Sequence, residues 1–100
     1  MADFADLEQR IETLSERAAA RPDPAILAEM EDTLSEGYAR ALTAEGRMKQ
    51  LDQRLEDALD RADAAEIRSV ARERQQLARR VERLRTRLIT MRAFLALRQI

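Results

Sequence analysis

Six arginines in the last third of the chain have the clearest capacity for chemistry. They are Arg79, Arg80, Arg83, Arg85, Arg87 and Arg92. A guanidinium pairs with phosphate through parallel hydrogen bonds, and a helix that carries several of them neutralises the phosphates of a nucleic acid. No face of Lys, Asn or Gln is interleaved with them, however, and the only aromatic residue nearby is Phe94. A nucleic-acid-binding helical hairpin is therefore the alternative hypothesis rather than the main one.

The side chains on which most enzymes depend are missing. The chain has no cysteine and no histidine, which removes thiol nucleophiles, thiolate zinc sites and the side chain that usually titrates near neutral pH. No Ser, Thr or Tyr hydroxyl has a histidine to activate it, and neither a glycine-rich phosphate loop nor a dinucleotide fingerprint occurs. We expect a protein that is not an enzyme, takes no cofactor and has no small-molecule substrate.

The densest group of carboxylates comprises Glu29, Glu31, Asp32 and Glu36. Carboxylate oxygens suit a hard cation such as Ca²⁺, but a calcium site also needs a loop with a glycine turn and carbonyl oxygens. Neither accompanies this group. The carboxylates instead fit the exposed first turns of a helix, where the helix dipole favours negative charge. We therefore predict no metal site.

Composition favours long helices. Charged residues make up 37% and aromatic residues 3%, and two glycines with two prolines allow few turns, which argues against all-β and α/β folds. Regularly spaced hydrophobic residues, 45% of the chain, argue against disorder. No apolar run approaches the ~20 residues that cross a bilayer, and the acidic N-terminus is unlike a signal peptide. We expect a cytoplasmic protein with one helical domain, residues 1–100.

Apolar residues at alternating spacings of three and four predict three helical segments. They lie at residues 3–20, 24–61 and 64–99, with turns at residues 21–24 and 61–64. The first turn has the stronger signal. Pro22 ends one helix, Asp23 is suited to cap the next, and Pro24 occupies a first helical position where its missing N–H costs nothing.

The second turn carries no glycine or proline and depends on two weaker signals. The apolar stripe jumps five residues from Ala62 to Ile67, which one straight helix does not keep on one face. Asp63 and Glu66, three residues apart, have the spacing of a capping box. The alternative that the sequence leaves open is one continuous helix over residues 24–100, ~115 Å long at 1.5 Å per residue.

Folding at the second turn makes a long antiparallel hairpin, a coiled coil of two helices. The core stripe of the second helix begins with Leu27, Met30 and Leu34. Its apolar face is widened there by Ile26, Tyr38 and Leu42, and that of the third helix is widened at its end by Ile89, Phe94, Leu97 and Ile100. The first helix returns to that same end. This predicts a three-helix bundle at one end and a thin two-helix stalk at the other. Gly37, Ala41 and Ala44 make the middle of the second stripe small, which marks them as candidates for close helix contact. Five consecutive apolar residues, 93–97, exceed what one helix face buries and predict dimerisation into a larger bundle.

Charge is divided unevenly along the chain. Residues 1–66 hold 17 acidic and 8 basic side chains (−9), whereas residues 67–100 hold 2 acidic and 10 basic side chains (+8). The simplest interpretation is that a basic helix lies against its own acidic helices. The attractive pairs expected across a hairpin centred near residue 63 are Arg54 with Glu73 and Arg61 with Glu66.

The same pairing brings like charges together, Arg40 near Arg87 and Arg47 near Arg80. Exposed pairs of this kind cost roughly a few tenths of a kcal/mol, so the fold survives them. Acidic residues of the first helix could reach Arg40 and Arg87, whereas Arg47 and Arg80 lie too far away, which predicts a second subunit or an acidic partner there. The candidate partner or dimer surface comprises Arg40, Arg47, Arg80, Arg87, Phe94, Leu97 and Ile100.

These observations together predict a non-enzymatic coiled-coil module for protein–protein interaction or assembly. The expected partner is a second copy of the chain, an unidentified protein, or both. No residue pattern indicates the pathway in which the module works.

Overall fold

The computed structural model describes residues 3–98, which form three helices. Helix α1 spans Ala5–Ala20, α2 spans Pro24–Asp60 and α3 spans Ala64–Arg98. Helices α2 and α3 pack against each other as an antiparallel pair, α1 packs against both, and the molecule measures 57 × 20 × 15 Å. The prediction of an all-α chain of three helices is confirmed, and the chain folds back on itself instead of forming one continuous helix.

Helix α1 begins at Ala5, two residues later than predicted. Asp3 lies outside the helix, and its Oδ1 accepts the Ala5 backbone N–H at 3.0 Å. Phe4 occupies the N-cap position without a capping hydrogen bond from its side chain, and its ring is buried in the core. Asp6 and Glu8 lie in the first turn, where the helix dipole favours carboxylates. The start of α1 therefore combines one buried aromatic anchor with several exposed acids.

The first turn is a connection of three residues, Arg21, Pro22 and Asp23. Arg21 (φ −155°, ψ 88°) and Asp23 (φ −123°, ψ 161°) both have extended backbones. The Asp23 carboxylate caps α2 by accepting the Ile26 N–H at 3.0 Å, and Pro24 occupies the first helical position. The chain stops and restarts its helix here for the reasons that the sequence indicates.

The second turn ends α2 with a Schellman motif. The Ala62 N–H donates to the Leu59 carbonyl and the Asp63 N–H donates to the Ala58 carbonyl, both at 3.0 Å, which is the paired pattern of that motif. Ala62 has a φ of 55°, a left-handed conformation that is usually taken by glycine. Ala62 is exposed, so its predicted place in the apolar stripe of the second helix is wrong.

Asp63 also caps α3, but the predicted capping box is only half formed. Its Oδ1 accepts the Glu66 backbone N–H at 3.1 Å. The Glu66 carboxylate does not return the bond to the Asp63 N–H, which is engaged by the Ala58 carbonyl. It accepts a hydrogen bond from Arg54 at 2.9 Å instead. The second turn is therefore held by backbone bonds, one aspartate cap and one ion pair.

Apolar side chains from all three helices form one continuous core. The largest of the fully buried side chains are Leu7, Met30, Leu51, Leu84, Leu88, Met91 and Val70. Helix α1 adds a stripe of buried residues at the end where α2 begins and α3 finishes. Towards the second turn only two helices remain, and Ala58 and Val70 are the last fully buried residues of each. Burial is therefore concentrated at one end of the molecule.

Helix α1 shifts the buried face of α2 sideways where the two meet. Ile26 and Thr33 are buried, whereas Leu27 and Leu34, which the sequence pattern favours for the core, are only half-buried. The Thr33 hydroxyl donates to the Glu29 carbonyl at 2.8 Å, so its burial leaves no hydrogen bond unmade. A third helix on one side of a pair covers that flank and leaves the opposite flank open.

None of the helices within residues 3–98 combines the length and the apolar character needed to traverse a lipid bilayer.

Candidate interaction surfaces

The small residues of α2 bring it close to α3. A β-carbon at Gly37 would lie 2.5 Å from Leu88 Cδ2 and 3.0 Å from Cδ1, so glycine is what allows the Leu88 side chain to enter there. Ala41 and Ala44 are also buried. The three positions predicted for close helix contact thus lie inside the core of the chain itself, and they offer no free surface to a second protein.

Two arginines of the predicted partner surface bind carboxylates within the chain. Arg40 donates to both carboxylate oxygens of Asp6 in α1, at 3.1 and 3.2 Å, and to the Asp3 carbonyl just before the helix at 2.7 Å. The hydrogen bond from Arg40 holds the pKa of the Asp6 carboxyl below its ordinary value. Arg47 donates to Glu73 of α3 at 2.8 Å. An acidic residue of the first helix does reach Arg40, as the sequence suggested, whereas Arg47 finds its acid across the hairpin.

The ion pairs across the hairpin lie in a different register from the predicted one. In place of Arg54 with Glu73 and Arg61 with Glu66, the structure pairs Arg54 with Glu66 and Arg47 with Glu73. An arginine side chain is long enough to run along the helix surface and meet an acid nearer to the turn. The hydrogen bond that Arg54 donates to Glu66 raises the pKa of Arg54. The expected repulsion on the Arg47 side is thus relieved inside the chain.

Arg80, the other residue expected on that side, also has an interaction partner. Arg87 makes no ion pair with any residue from 3 to 98. Arg47 therefore finds an acid within the chain, and a second subunit or an acidic partner at this part of the surface stays a prediction.

The six arginines of α3 do not form one free cationic surface. Arg79, Arg83 and Arg87, four residues apart, lie along one side of the helix, whereas Arg85 and Arg92, seven residues apart, lie along another. Arg83 binds a carboxylate of α1, and Arg85 binds one of α2. Part of the positive charge of α3 is therefore neutralised by the acidic helices beside it.

An apolar strip is exposed on the flank of the hairpin opposite α1. Leu42 of α2 is 64% exposed and Ile89 of α3 is 61% exposed. Glu45 and Arg85 join the helices on this flank, and Leu42 and Ile89 each lie one turn from that pair, towards the same end of the hairpin. Half-buried Tyr38 lies one turn beyond Leu42. We call Tyr38, Leu42 and Ile89 the open strip.

The sequence pattern assigned the open strip to the core, since Tyr38, Leu42 and Ile89 widen the apolar faces of their helices. Only the position of α1 decides which flank of the pair is covered, and the periodicity of α2 or α3 does not encode it. One sequence signal could have predicted the strip. Apolar residues widen both flanks of the α2/α3 pair, but only one further helix, α1, is available to cover a flank.

The C-terminal candidates have different surroundings. The Phe94 ring is half-buried against the core, and the Arg98 guanidinium lies 5.0 Å from its centroid. Leu97 is 72% exposed. Ile100, the last residue of the predicted surface, lies outside the described residues. Leu59, 56% exposed on the stalk, is a further apolar side chain that the sequence did not single out as surface.

The described chain, from residue 3 to 98, contains no group of three acidic side chains placed to hold a metal ion. Within this range, seven arginines each pair with a carboxylate of another helix. The surfaces that distinguish this protein are therefore the open strip, Leu97 and the groove that holds α1.

Comparison with models of protein families, with curated proteins and with solved structures finds no match to this chain.

Proposed function

We propose that the chain is a non-enzymatic helical module of protein assembly, in which coiled-coil faces bind a second copy of the chain. The open strip is the observation that carries the proposal. Leu42 and Ile89 are each more than 60% exposed and lie at the same level on one flank of two packed helices. Exposed apolar side chains grouped on one flank of an otherwise charged protein indicate a contact with another macromolecule. The cytoplasmic location expected from the sequence belongs to the same proposal.

The energy available from the strip indicates a weak dimer. Complete burial of a Leu or Ile side chain contributes about 1.5–3 kcal/mol, so the exposed part of each residue is worth roughly 1–2 kcal/mol. A twofold dimer buries four such side chains, about 4–8 kcal/mol in total, against a cost of association of about 4–15 kcal/mol. Tight binding therefore requires Tyr38 of the strip and the half-buried side chains of Leu27 and Leu34 to contribute as well.

Electrostatics favour a second copy as the partner of the strip. Glu45 and Arg85, which lie one turn from the strip on the side of the second turn, are already paired with each other. Two copies that meet through this flank by a twofold axis would therefore not bring these two charges into the contact unpaired. The apolar side chains of the strip are also self-complementary in chemistry.

The alternative is a nucleic-acid-binding hairpin that uses the arginines of α3. It is less favoured because Arg83 and Arg85 each bind a carboxylate of the chain, and phosphate would have to displace them. Binding to generic DNA or RNA at low salt, with an affinity that falls steeply as salt rises, would support this alternative.

Sedimentation velocity over a wide range of protein concentration tests the proposal. We expect the wild-type chain to dimerise as its concentration rises, and we expect Leu42→Glu and Ile89→Glu to dimerise only at higher concentrations because each places a charge in the strip. Leu59→Glu is the matched control, since Leu59 is similarly exposed but lies ~25 Å from Leu42 along α2. A wild-type chain that stays monomeric, or strip variants that dimerise as well as the control, would refute the proposal.

A further inference from the structure

The groove that holds α1 has the features of a binding site for a helix. We propose that this groove also accepts α1 from a second copy of the chain, so that two copies exchange their first helices. The inference rests on the proposed function, since it treats the chain as a self-assembling module. It uses another surface, however, on the flank opposite the open strip.

The floor of the groove is a stripe of α2 together with one side of α3. Ile26, Thr33 and Arg40 are spaced by seven residues and therefore share one face of α2. Arg40 binds Asp6 of α1, which places this whole face towards α1, and Ile26 and Thr33 are buried there. Arg83 of α3 completes the groove by donating to a carboxylate of α1 at 3.1 Å. The groove is thus apolar along its length and cationic at one end.

Helix α1 matches the groove as a ligand. Leu7, Ile11, Leu14 and Ala18 are buried and spaced by four, three and four residues, so a single stripe makes the apolar contact. Residues 3–20 carry five acidic and two basic side chains. The acids at the start of α1 meet the arginines, which sets the direction of the helix in the groove as well as its position.

Arg87 adds a reason for an acidic occupant. It follows Arg83 by four residues on the same side of α3, and it makes no ion pair with any residue from 3 to 98. The cationic end of the groove therefore holds more positive charge than α1 neutralises in the described chain. A helix with acids in its first turns fits that end better than a neutral helix does.

The connection between α1 and α2 permits exchange. Its backbone is extended at Arg21 and Asp23, and no backbone hydrogen bond joins its two sides among residues 3–98. The cap of α2 uses Ile26, and the last bond of α1 runs from the Arg21 N–H to the Arg17 carbonyl. Both are local, so α1 can leave the groove without breaking either of them.

A second copy is the occupant that the contacts specify. With 16 residues, α1 is close to the length below which an isolated helix is marginal in water, so once undocked it is stabilised by packing into a groove of the same shape. Every contact made in exchange is one that the single chain already makes, and two exchanged helices restore all of them. The short connection favours the intramolecular arrangement through its high effective concentration, so exchange depends on protein concentration.

A labelled peptide of residues 3–21 tests the groove in the full-length chain. The double variant Leu42→Glu, Ile89→Glu serves as the background, because its two glutamates prevent association through the open strip. In this background Leu7→Asp is added to undock α1, and fluorescence anisotropy measures the binding of the peptide. We expect the peptide to bind at least about tenfold more tightly than it binds the background alone, where α1 competes.

The far-ultraviolet circular dichroism of the Leu7→Asp chain shows whether α2 and α3 remain folded. Helicity should fall only by the contribution of α1 and should recover when unlabelled peptide is added. A chain that has lost most of its helicity would be replaced by the milder variant Leu14→Ala, for which the same order of affinities is expected.

Charge reversal tests the direction and specificity of docking. Arg40→Glu should weaken binding of the peptide, and a peptide carrying Asp6→Arg should bind the Arg40→Glu chain better than the unaltered peptide does. A peptide of the same composition in shuffled order should not bind. Absence of binding, or equal binding of the shuffled peptide, would overturn helix exchange. The sedimentation results for the open strip would be untouched by either outcome, so the two proposals fail separately.

Discussion

Gly37 and Gly46 lie in the same helix, and replacing each of them with alanine should change the stability in opposite directions. A β-carbon at Gly46 would meet no heavy atom within 4 Å. A β-carbon at Gly37 would lie 2.5 Å from Leu88 Cδ2, 3.0 Å from Cδ1 and 3.3 Å from Cγ. The two substitutions are chemically identical, so their difference isolates the packing of α2 against α3.

The magnitudes follow from two competing effects. Alanine is favoured over glycine inside a helix by about 1 kcal/mol, and Gly46→Ala should raise the free energy of unfolding by that amount. Gly37→Ala has the same gain, but it forces Leu88, which is fully buried, out of its position. Overpacking of this kind costs about 1–3 kcal/mol. The net effect at Gly37 is then roughly 0–2 kcal/mol of destabilisation, and the two variants should differ by about 1–3 kcal/mol.

Urea denaturation followed by circular dichroism measures both free energies, and the slope of each transition shows whether the unfolding remains comparable. Leu88→Ala supplies the control, because it removes the atoms with which the new β-carbon collides. Gly37→Ala should therefore be less destabilising, or stabilising, when it is introduced into the Leu88→Ala chain. If Gly37→Ala stabilises the wild-type chain as much as Gly46→Ala does, the close approach of α2 and α3 at this point is incorrect.

Two further variants test the turn and the docking of α1. Ala62→Gly should stabilise the chain by about 0.5–1 kcal/mol in the same urea assay, because glycine relieves a left-handed cost of about 1–2 kcal/mol and loses part of that gain in unfolded-state entropy; a loss of stability would contradict the Schellman turn. Asp6→Asn should lower the melting temperature at neutral pH but not in acid. The pKa of Asp6 is lowered in the folded chain. Its contribution to stability is therefore present above the ordinary pKa of 3.8 and is lost as the pH falls through the folded-state pKa. A difference in melting temperature between wild type and variant that persists in strong acid would refute the Arg40 contact.

Local signals in the sequence were sufficient to predict the first turn. Pro22, Asp23 and Pro24 act on their own backbone and on the next few residues, so no distant partner is needed to interpret them. The second turn was less predictable because alanine at a left-handed position carries no sequence signal. Asp63 forms its predicted cap, whereas Glu66 binds an arginine that lies elsewhere in the chain, and local spacing could not reveal that choice.

The burial of Ile26 and Thr33 in place of Leu27 and Leu34 could not be predicted from α2 alone. Periodicity identifies an apolar face, but the side on which a third helix packs depends on the shape of the whole bundle. The prediction of ion pairs was limited for a related reason, since an arginine side chain can reach an acid up to two turns away from the position directly opposite it. Leu42 and Ile89 are exposed because α1 packs on the other flank of the pair. The open strip is therefore evident only from the structure.

The uneven distribution of burial has a kinetic consequence. Residues of α2 and α3 beside the Asp63 turn are nearest in sequence, so bringing them together costs the least chain entropy. That end of the hairpin nevertheless offers the least apolar surface, and the residues that bury most, such as Met30 and Met91, are about 60 positions apart. The contacts that form most readily therefore bury the least, and we expect the rate of folding to depend on closing the far end of the rod.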